Sequence, residues 1–515
     1  MNYRPALLCA ALIASAIPLD AQKVPVTEKT LSNGMHLLLV QRNDEPTVSG
    51  GWVAHVGSAN ERPGITGIAH LFEHMMFKGT PTIGTKDAKR DLQIIAEQER
   101  VRDEMRREEA TTRMAWRRGE IDDPFKLENK TLRYKELEAQ FKKLVDEQRA
   151  LLVKNEFSRI YDGEGGSSMN AFTSDDMTAY FIVVPANKLE LWMWMESERL
   201  LRPVFREFYA ERDVVFEERR MRTEATPTGR ISESFQAMIW ESHPYSWPTV
   251  GWPSDIPAIS KPQADKFYEL YYAPQNITLI LVGDFKSEPA TQLAEKYFGR
   301  IPRGPTDAPD VVTLEIKQVA EKRMYGEADA NPDVDIVWHT VPFGHADSYP
   351  LRVLAQVLST RTGRLYKGLV LGRGVATEAY GQQVSQKWAG LFNAGGEAKD
   401  GHTPEEVEKA IYEEIEKLKT EDVPAQELQK VKNNFAASEY RRLAAGSHPI
   451  LMQLVQNDGL GNWREINEGG AKLQAVTSAD LKRVANKYFV KEQRNVLIVT
   501  RKKNGATTAA SKEAK

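Results

Sequence analysis

The stretch His70-Leu71-Phe72-Glu73-His74 carries the residue types and spacing that could do chemistry. Residues four apart lie about one helical turn apart on one face, so both imidazoles can reach a single metal. Glu73 shares that face. It can stand beside a metal without binding it and take a proton from a water that the metal has acidified. The order His-x-x-Glu-His is the reverse of the commoner zinc-site order His-Glu-x-x-His. Apolar neighbours (Ile68, Leu71, Phe72, Met75, Met76) would bury the helix and keep the site dry. The chain has nine histidines, so the spacing can also arise by chance. Two histidines on an apolar helix can equally be core residues. The other segments of the chain decide between these readings.

A catalytic zinc site takes three protein ligands and leaves one position open. The single cysteine, Cys9, falls in the N-terminal apolar segment, so the third ligand must be His, Asp or Glu. The helical segment Glu211-Arg212-Asp213-Val214-Val215-Phe216-Glu217-Glu218 offers Glu218. Glu211, two turns earlier on the same face, could orient a ligand or the substrate amine. By pattern alone Glu217 and Glu224 compete with Glu218. Two imidazoles and a carboxylate suit zinc best among the common divalent metals.

Several elements must position these residues. A chain of 515 residues is too long for one core and should hold two or more domains. A net charge of −3 excludes a global basic field for nucleic acid, and 41% apolar residues exclude wholesale disorder. Residues 1–21 read as a cleaved signal peptide: Arg4, an apolar run from Ala6 to Leu19, and the small residue Ala21 at the cleavage point. The mature chain then has no cysteine and no disulfide, which fits a bacterial periplasm or a secreted protein. No later run is long enough for a transmembrane segment.

Met35–Val40 and Ser49–Val56 read as strands ahead of the motif helix. Residues from about 86 to 157 read as a long helical hairpin projecting from the fold. Asp122-Asp123-Pro124 breaks it midway, and Leu137, Phe141, Leu144 and Leu151 form its apolar stripe. Its many charges read as a solvated face. A Gly/Ser loop over Gly163–Ser168, the segment Met169–Ser174, a strand from Met177 to Val184 and a helix from Ala186 to Leu201 follow. The chain also repeats itself. Ile259–Val282 and Val476–Val499 align without a gap, each a helix ending in an aromatic pair, a polar turn and a buried strand. A repeat this long predicts two similar domains in tandem. The fold class expected is α+β: two homologous α/β-sandwich domains, each a mixed sheet with packed helices, plus the helical insertion. The divisions are a first domain at 22–303, a linker at 304–311, a second domain at 312–503 and a disordered tail at 504–515. In the second half Val334–Val341 is the counterpart strand. The helix Ser348–Leu358 after it lacks the histidines, so one half is catalytic and the other a copy.

Taken in order, these segments resemble the insulinase-type, or pitrilysin, zinc peptidases, which include the mitochondrial processing peptidase and shorter bacterial members. The resemblance rests on LSNGM at Leu31, GITGIAHLFEHMMFKGT at Gly64, MNAFTS at Met169, ERDVVFEE at Glu211, HPYSWPTVGW at His243 and the tandem halves. It implies zinc ligation by His70, His74 and Glu218, with Glu73 as general base and Glu211 behind the ligands. It also implies that Asn170, Ala171 and Phe172 form an edge strand on which a peptide substrate lies by strand addition. The activity implied is zinc-dependent endopeptidase cleavage of peptides or small unfolded polypeptides in a closed chamber. A chain of this length should form that chamber as a dimer. Two features depart from the family. The connection from Thr80 to Asn170 is long and carries the hairpin. The Arg and Tyr that the family's second domain supplies fall on Val370 and Thr377, while Arg373 and Tyr380 keep the spacing shifted by three. The expected partner is therefore a zinc-free paralogue that supplies the Arg and Tyr, giving a heterodimer; a homodimer is the alternative. The counterpart of Glu218 in the second half is Asn434. The rival readings are a non-catalytic scaffold or chaperone subunit of the same fold, and a binding module worked by the hairpin.

Overall fold

The computed structural model describes residues 23–502. The expected signal peptide and the polar tail lie outside the described residues. The first half opens with β1 (Thr27–Thr30), β2 (His36–Gln41), β3 (Thr47–Ala54) and α1 (Ile68–Met75). Helices α2 (Ala88–Arg117), α3 (Leu132–Leu151) and α4 (Glu156–Gly163) precede β4 (Ser167–Thr173) and β5 (Thr178–Pro185). Then come α5 (Leu189–Leu201), α6 (Phe208–Arg219), α7 (Gly229–Ile239), α8 (Lys261–Tyr271), β6 (Ile277–Gly283) and α9 (Ser287–Tyr297). The second half runs β7 (Lys322–Ala328), β8 (Asp333–Thr340), α10 (Ser348–Leu358), β9 (Ala376–Ser385) and β10 (Gly390–Ala398). It closes with α11 (Pro404–Thr420), α12 (Ala425–Ala444), α13 (Ser447–Gly459), α14 (Glu465–Ala475), α15 (Ser478–Tyr488) and β11 (Arg494–Arg501).

The six-stranded sheet is ordered β1-β2-β6-β3-β5-β4 and the five-stranded sheet β7-β11-β8-β10-β9. Apart from the added β1, the two orders correspond strand for strand. In each, the final strand pairs parallel to the first of the matched set, β6 with β2 and β11 with β7. The repeat accounts for this. Its first copy folds as α8 and β6, its second as α15 and β11, and both helices start on a capping box, Ser260 with Gln263 and Thr477 with Asp480. The tandem α/β architecture expected from the sequence is the one observed. Between Tyr297 and Lys322 no helix or strand forms, so the connection is longer than the 304–311 expected. Pro302, Pro305 and Pro309 along it lack the N–H that a strand or helix needs.

Each half covers a sheet face of the other. Ile450, Leu451, Leu454 and Val455 of α13 pack on Leu38, Val53, Ile280 and Val282 of the first sheet. In return α7 places Phe235 and Ile239, with Trp240, against Val337, Leu497 and Val499 of the second. Strand β6 is buried along its whole length, which explains its unbroken apolar run. The hairpins β4–β5 and β9–β10 meet at their turns. There Asp176 accepts hydrogen bonds from the Tyr245 hydroxyl (2.6 Å) and the Lys387 N–H (3.0 Å), and the Gln386 amide donates to Asp175.

The insertion is the expected hairpin, with α2 and α3 joined by a core of Val101, Met105, Tyr134 and Leu137. It does not project freely along its whole length. Its base is clamped by a buried ion pair of Asp91 with Arg206 (2.6 Å) and by the Arg106 hydrogen bond to Tyr209 (3.1 Å). Only the outer part, with exposed Trp116, Phe125 and Leu132, stands clear. The Gly/Ser loop is shorter than expected, because Gly163 ends α4 and Ser167 already begins β4.

Candidate metal centre

Helix α1 is anchored at its start by close packing. Gly67 has φ +91°, and a Cβ there would stand 2.5 Å from the Val250 carbonyl oxygen. Gly251 meets the same turn from the other side, where a Cβ would fall 2.3 Å from the Thr66 carbonyl oxygen. The segment His243–Trp252 thus buttresses the motif helix, and the Trp252 N–H donates to Thr66 Oγ1 (2.9 Å). The buried Glu61 carboxylate accepts the N–H groups of Gly67 and Ala69, both at 2.8 Å, donors that a helix cannot satisfy internally. Burial pushes the Glu61 carboxyl well above its usual range, against the pull of those two donors.

On α1 the His70 and His74 rings stand edge to face, 5.0 Å apart. Glu218, near the end of α6, brings Oε2 to 3.3 Å from His74 Nε2 and 3.7 Å from His70 Nε2. The three donor atoms all lie within 4.8 Å of one another. Zinc bonds of about 2.0–2.2 Å place tetrahedral ligands roughly 3.3–3.6 Å apart, so the donor set has the size of a zinc site. The hydrogen bonding points the same way. Glu211 Oε1 lies 3.0 Å from His74 Nδ1. If that nitrogen carries the proton of a neutral imidazole, the lone pair of Nε2 faces the Glu218 carboxylate, an arrangement that calls for a cation between them. His70 Nδ1, by contrast, is buried without a hydrogen-bond partner among the described residues.

The surroundings fix each carboxylate differently. Arg222 pairs with Glu218 Oε1 at 2.7 Å, leaving Oε2 for the imidazoles. Lys78 pairs with Glu211 Oε2 at 2.5 Å. Burial opposes ionisation of Glu211, but the His74 and Lys78 hydrogen bonds outweigh it and hold its carboxyl at about 2. Burial, the His74 charge and Arg222 hold His70 down at about 3, so its imidazole is neutral and available as a ligand. Burial also resists protonation of His74, yet the Glu211 bond and the nearby carboxylates win and raise it. Glu73 is raised by burial. Its Oε2 accepts the Thr173 hydroxyl at 2.7 Å and lies 4.0 Å from His70 Nε2.

The structure therefore brings His70, Glu73, His74, Glu211 and Glu218 together. It separates the competitors: Glu217 pairs with Arg220 at 2.9 Å, and Glu224 faces Arg230. Asn170, Ala171 and Phe172 lie on β4, the edge strand of the first sheet. Ala171 packs on the core beside α1, whereas Phe172 turns to the opposite face under α13 and meets the Phe181 ring at a tilt. Any role of Phe172 in holding a chain at the site therefore falls to its backbone. Sequence reasoning did not single out Glu61, Thr173, Lys78 or Arg222. Thr173 and Lys78 sat inside quoted motifs and could have been found there. Arg222 follows Glu218 at the four-residue spacing of a helical ion pair and could have been found by it; Glu61 carried no local signal.

A cavity of about 530 Å³ opens beside Glu73 and His74. Phe77, Lys78 and Ala171 line one side, and Leu152, Val153 and Phe157, where the insertion returns to the fold, line the other. In the second half Arg373 pairs with Glu413 at 2.5 Å, and the Tyr380 hydroxyl bonds Asp335. Both are engaged within their own half.

Two family models match the chain. The one described as insulinase (peptidase family M16) covers residues 37–110, and the one described as the peptidase M16 inactive domain covers residues 258–435. The chain belongs to the insulinase family. Among its family relatives, zinc protease PqqE of Helicobacter pylori is 28% identical over 474 residues, covering 89% of each chain. A crystal structure of a protease from Helicobacter pylori shares the fold with a TM-score of 0.74 and 24% identity over 92% of this chain and 99% of that one. The periplasmic protease PqqL of Escherichia coli does so with a TM-score of 0.68 and 17% identity, over 93% of this chain and 48% of that one. The match described as an inactive domain contains neither imidazole of the candidate centre nor Glu218. No helix of the described residues is long and apolar enough to cross a membrane.

Proposed function

We propose that this insulinase-family member is a zinc-dependent endopeptidase acting on peptides or small unfolded polypeptides. The observation that carries the reading is the convergence of His70, His74 and Glu218, with Glu73 beside them under the free edge of β4. His70 Nε2, His74 Nε2 and Glu218 Oε2 would hold the metal. Zinc bound there would supply Lewis acidity toward a scissile carbonyl and toward water. Glu73 takes the proton from the attacking water and passes it to the leaving amine nitrogen. The Thr173 hydroxyl orients the Glu73 carboxylate for both transfers, and Glu211 fixes the His74 ring. The backbone of Asn170, Ala171 and Phe172 holds the substrate as an added strand, which gives affinity with little demand on side-chain sequence.

The domain reading follows: a catalytic unit at 22–303 interrupted by the insertion, and a metal-free unit at 312–503. The chain acts as one half of a dimeric chamber in a bacterial periplasm, or secreted, after loss of its first 21 residues. The engagement of Arg373 and Tyr380 within their own half favours a heterodimer whose zinc-free partner supplies those groups. The scaffold alternative draws on the inactive-domain match, but that match lies outside the candidate centre. The test is cleavage of a quenched unstructured peptide by the purified mature chain, with and without its expected partner, beside Glu73→Gln. Chelator-sensitive cleavage that the variant lacks is the expected result. A folded, zinc-loaded chain that cleaves nothing in either setting overturns the reading in favour of a scaffold.

A further inference from the structure

The matched strand orders give the metal centre a counterpart in the second half. Buried pairs set the register of the two helices. Leu71-Phe72 and Met75 of α1, with Met76 at its end, face the first core, and Val353-Leu354 and Val357-Leu358 of α10 face the second. In that register Arg352 stands where His70 does, and Gln356 where His74 does. Asn434 on α12 takes the place of Glu218. All three line one cavity of about 900 Å³.

The cavity is half open to solvent and larger than the one of about 530 Å³ beside Glu73, so a chain segment can enter it. Arg442, from the last turn of α12, opens on it too. Neither Arg352 nor Arg442 forms an ion pair among the described residues; Arg352 lies over the Phe435 ring at 5.9 Å. Of the two glutamates lining the cavity, Glu465 is held by Tyr349 (2.9 Å) and Lys472, and Glu439 pairs with neither arginine. Amide groups of Gln356, Gln383, Asn434 and Gln453 complete the lining, and Gln453 Oε1 is buried without a partner. Both guanidiniums are exposed to solvent on the cavity side, and a guanidinium there remains charged. Glu439 and Glu465 put negative charge on the same lining, but neither closes on a guanidinium, so two planar donor forks that match a carboxylate stay open to the cavity.

We propose that this cavity binds a carboxylate of the polypeptide substrate through Arg352 and Arg442. The inference rests on the peptidase reading for the presence of a polypeptide. The path is continuous with the metal centre. Ser385 lines the cavity, its neighbour Gln386 bonds Asp175, and Thr173, two residues before Asp175, holds Glu73. An extended chain laid on β4 at the metal centre runs to this junction, beyond which β9 borders the cavity. The carboxylate is either the chain terminus or an acidic side chain.

The test titrates three labelled peptides against the full mature chain carrying Glu73→Gln, by fluorescence anisotropy. The peptides share one extended sequence without acidic residues. The first ends in a free carboxylate, the second in an amide, and the third is amidated with one internal glutamate. A carboxylate-bearing peptide should bind roughly tenfold more tightly than the neutral one, and which of the two does so identifies the source. Arg352→Gln with Arg442→Gln should shrink that advantage below twofold. Equal binding of all three, no binding of any, or a double variant that weakens the neutral peptide as much overturns the proposal. Arg442→Gln alone, at an exposed helix end, gives the same answer with a smaller change if the double variant does not fold. Binding needs no cleavage, so the two readings fail separately. Loss of the carboxylate advantage with cleavage intact sinks this inference alone, and absent cleavage with the advantage retained sinks only the peptidase reading.

Discussion

Helices α1 and α10 occupy the same place in two copies of one fold, and they have been put to opposite electrostatic uses. Around α1 the carboxylates Glu73, Glu211 and Glu218 and two imidazoles gather donor atoms that call for a cation. Around α10 the corresponding positions hold Arg352, Gln356 and Asn434, which already supply a positive charge. Even the starts of the helices differ. α1 is anchored by a buried carboxylate, Glu61, that takes backbone N–H groups. α10 begins after Asp347, whose carboxylate is held by Arg483 at 2.7 Å, Lys487 at 2.8 Å and Tyr488 at 2.6 Å. On the two proposals made above, the fold dictates where a site lies, while three or four side chains dictate the sign of what binds there.

The comparison is broken most severely by giving the first half the residue of the second. Glu218→Asn should lower zinc affinity by at least about a hundredfold, more than the usual cost of an outer partner, and abolish peptide cleavage. Asn434→Ala should leave the metal content unchanged. Metal analysis of both purified variants after dialysis checks this, and equal zinc retention would show that Glu218 is not a ligand. Glu73→Gln should keep its zinc and lose roughly a thousandfold in kcat, the scale of a positioned general base.

A second group of variants asks whether the halves are one cooperative body. Leu451 of α13 is fully buried on the first sheet although it belongs to the second half. Leu451→Ala should cost about 2–5 kcal/mol and move a single urea transition. Two separated transitions, with only the second shifted, would show that the exchange of helices does not couple the halves. A smaller effect is expected at Thr173, which sharpens the difference between site and copy by acting only through Glu73. Thr173→Val should lower kcat by about tenfold, the value of one hydrogen bond to a charged group, with zinc content and melting unchanged.

How much of this was legible in the sequence follows from what sequence records. The motif spacing and the repeat are local patterns, and each folds where its periodicity predicted: α1 over the histidines, α8 and α15 over the repeat; the edge strand at Asn170, Ala171 and Phe172 was implied only by the resemblance. Glu218 could be chosen from among Glu217 and Glu224 only by resemblance, because which of three acids on one helix turns inward depends on packing that the chain does not spell out. Glu61 was invisible for the same reason, because only the fold of the loop brings it to the start of α1, whereas Arg222 was readable as the i, i+4 partner of Glu218. The clamp on the insertion was missed because Asp91 and Arg206 look like two more charges in charged segments, and only the fold buries them together. The charge reversal at α10 was half legible. The missing histidines were noted, but Arg352 gains meaning only once Arg442, far along the chain, opens on the same cavity.

The mildest perturbation tests the start of α10. Burial raises the Asp347 carboxyl, but its bonds to Lys487, Tyr488 and Arg483 more than offset this and hold it below the usual aspartate range. A depressed pKa in the folded state means that the unfolded chain binds the proton more readily. The stabilisation is therefore complete above the unfolded value of about 4 and is lost progressively as pH falls below it toward the folded value. Asp347→Asn should cost about 1–2 kcal/mol at pH 7, the scale of a bond to a charged group. The gap between variant and wild type should narrow as the pH is taken from 5 to about 3. Chemical denaturation across that range reads it directly. A gap that stays constant with pH would mean that α10 begins on packing alone, as a helix start does when no charge is involved, and the contrast with α1 would then rest on the cavity residues only.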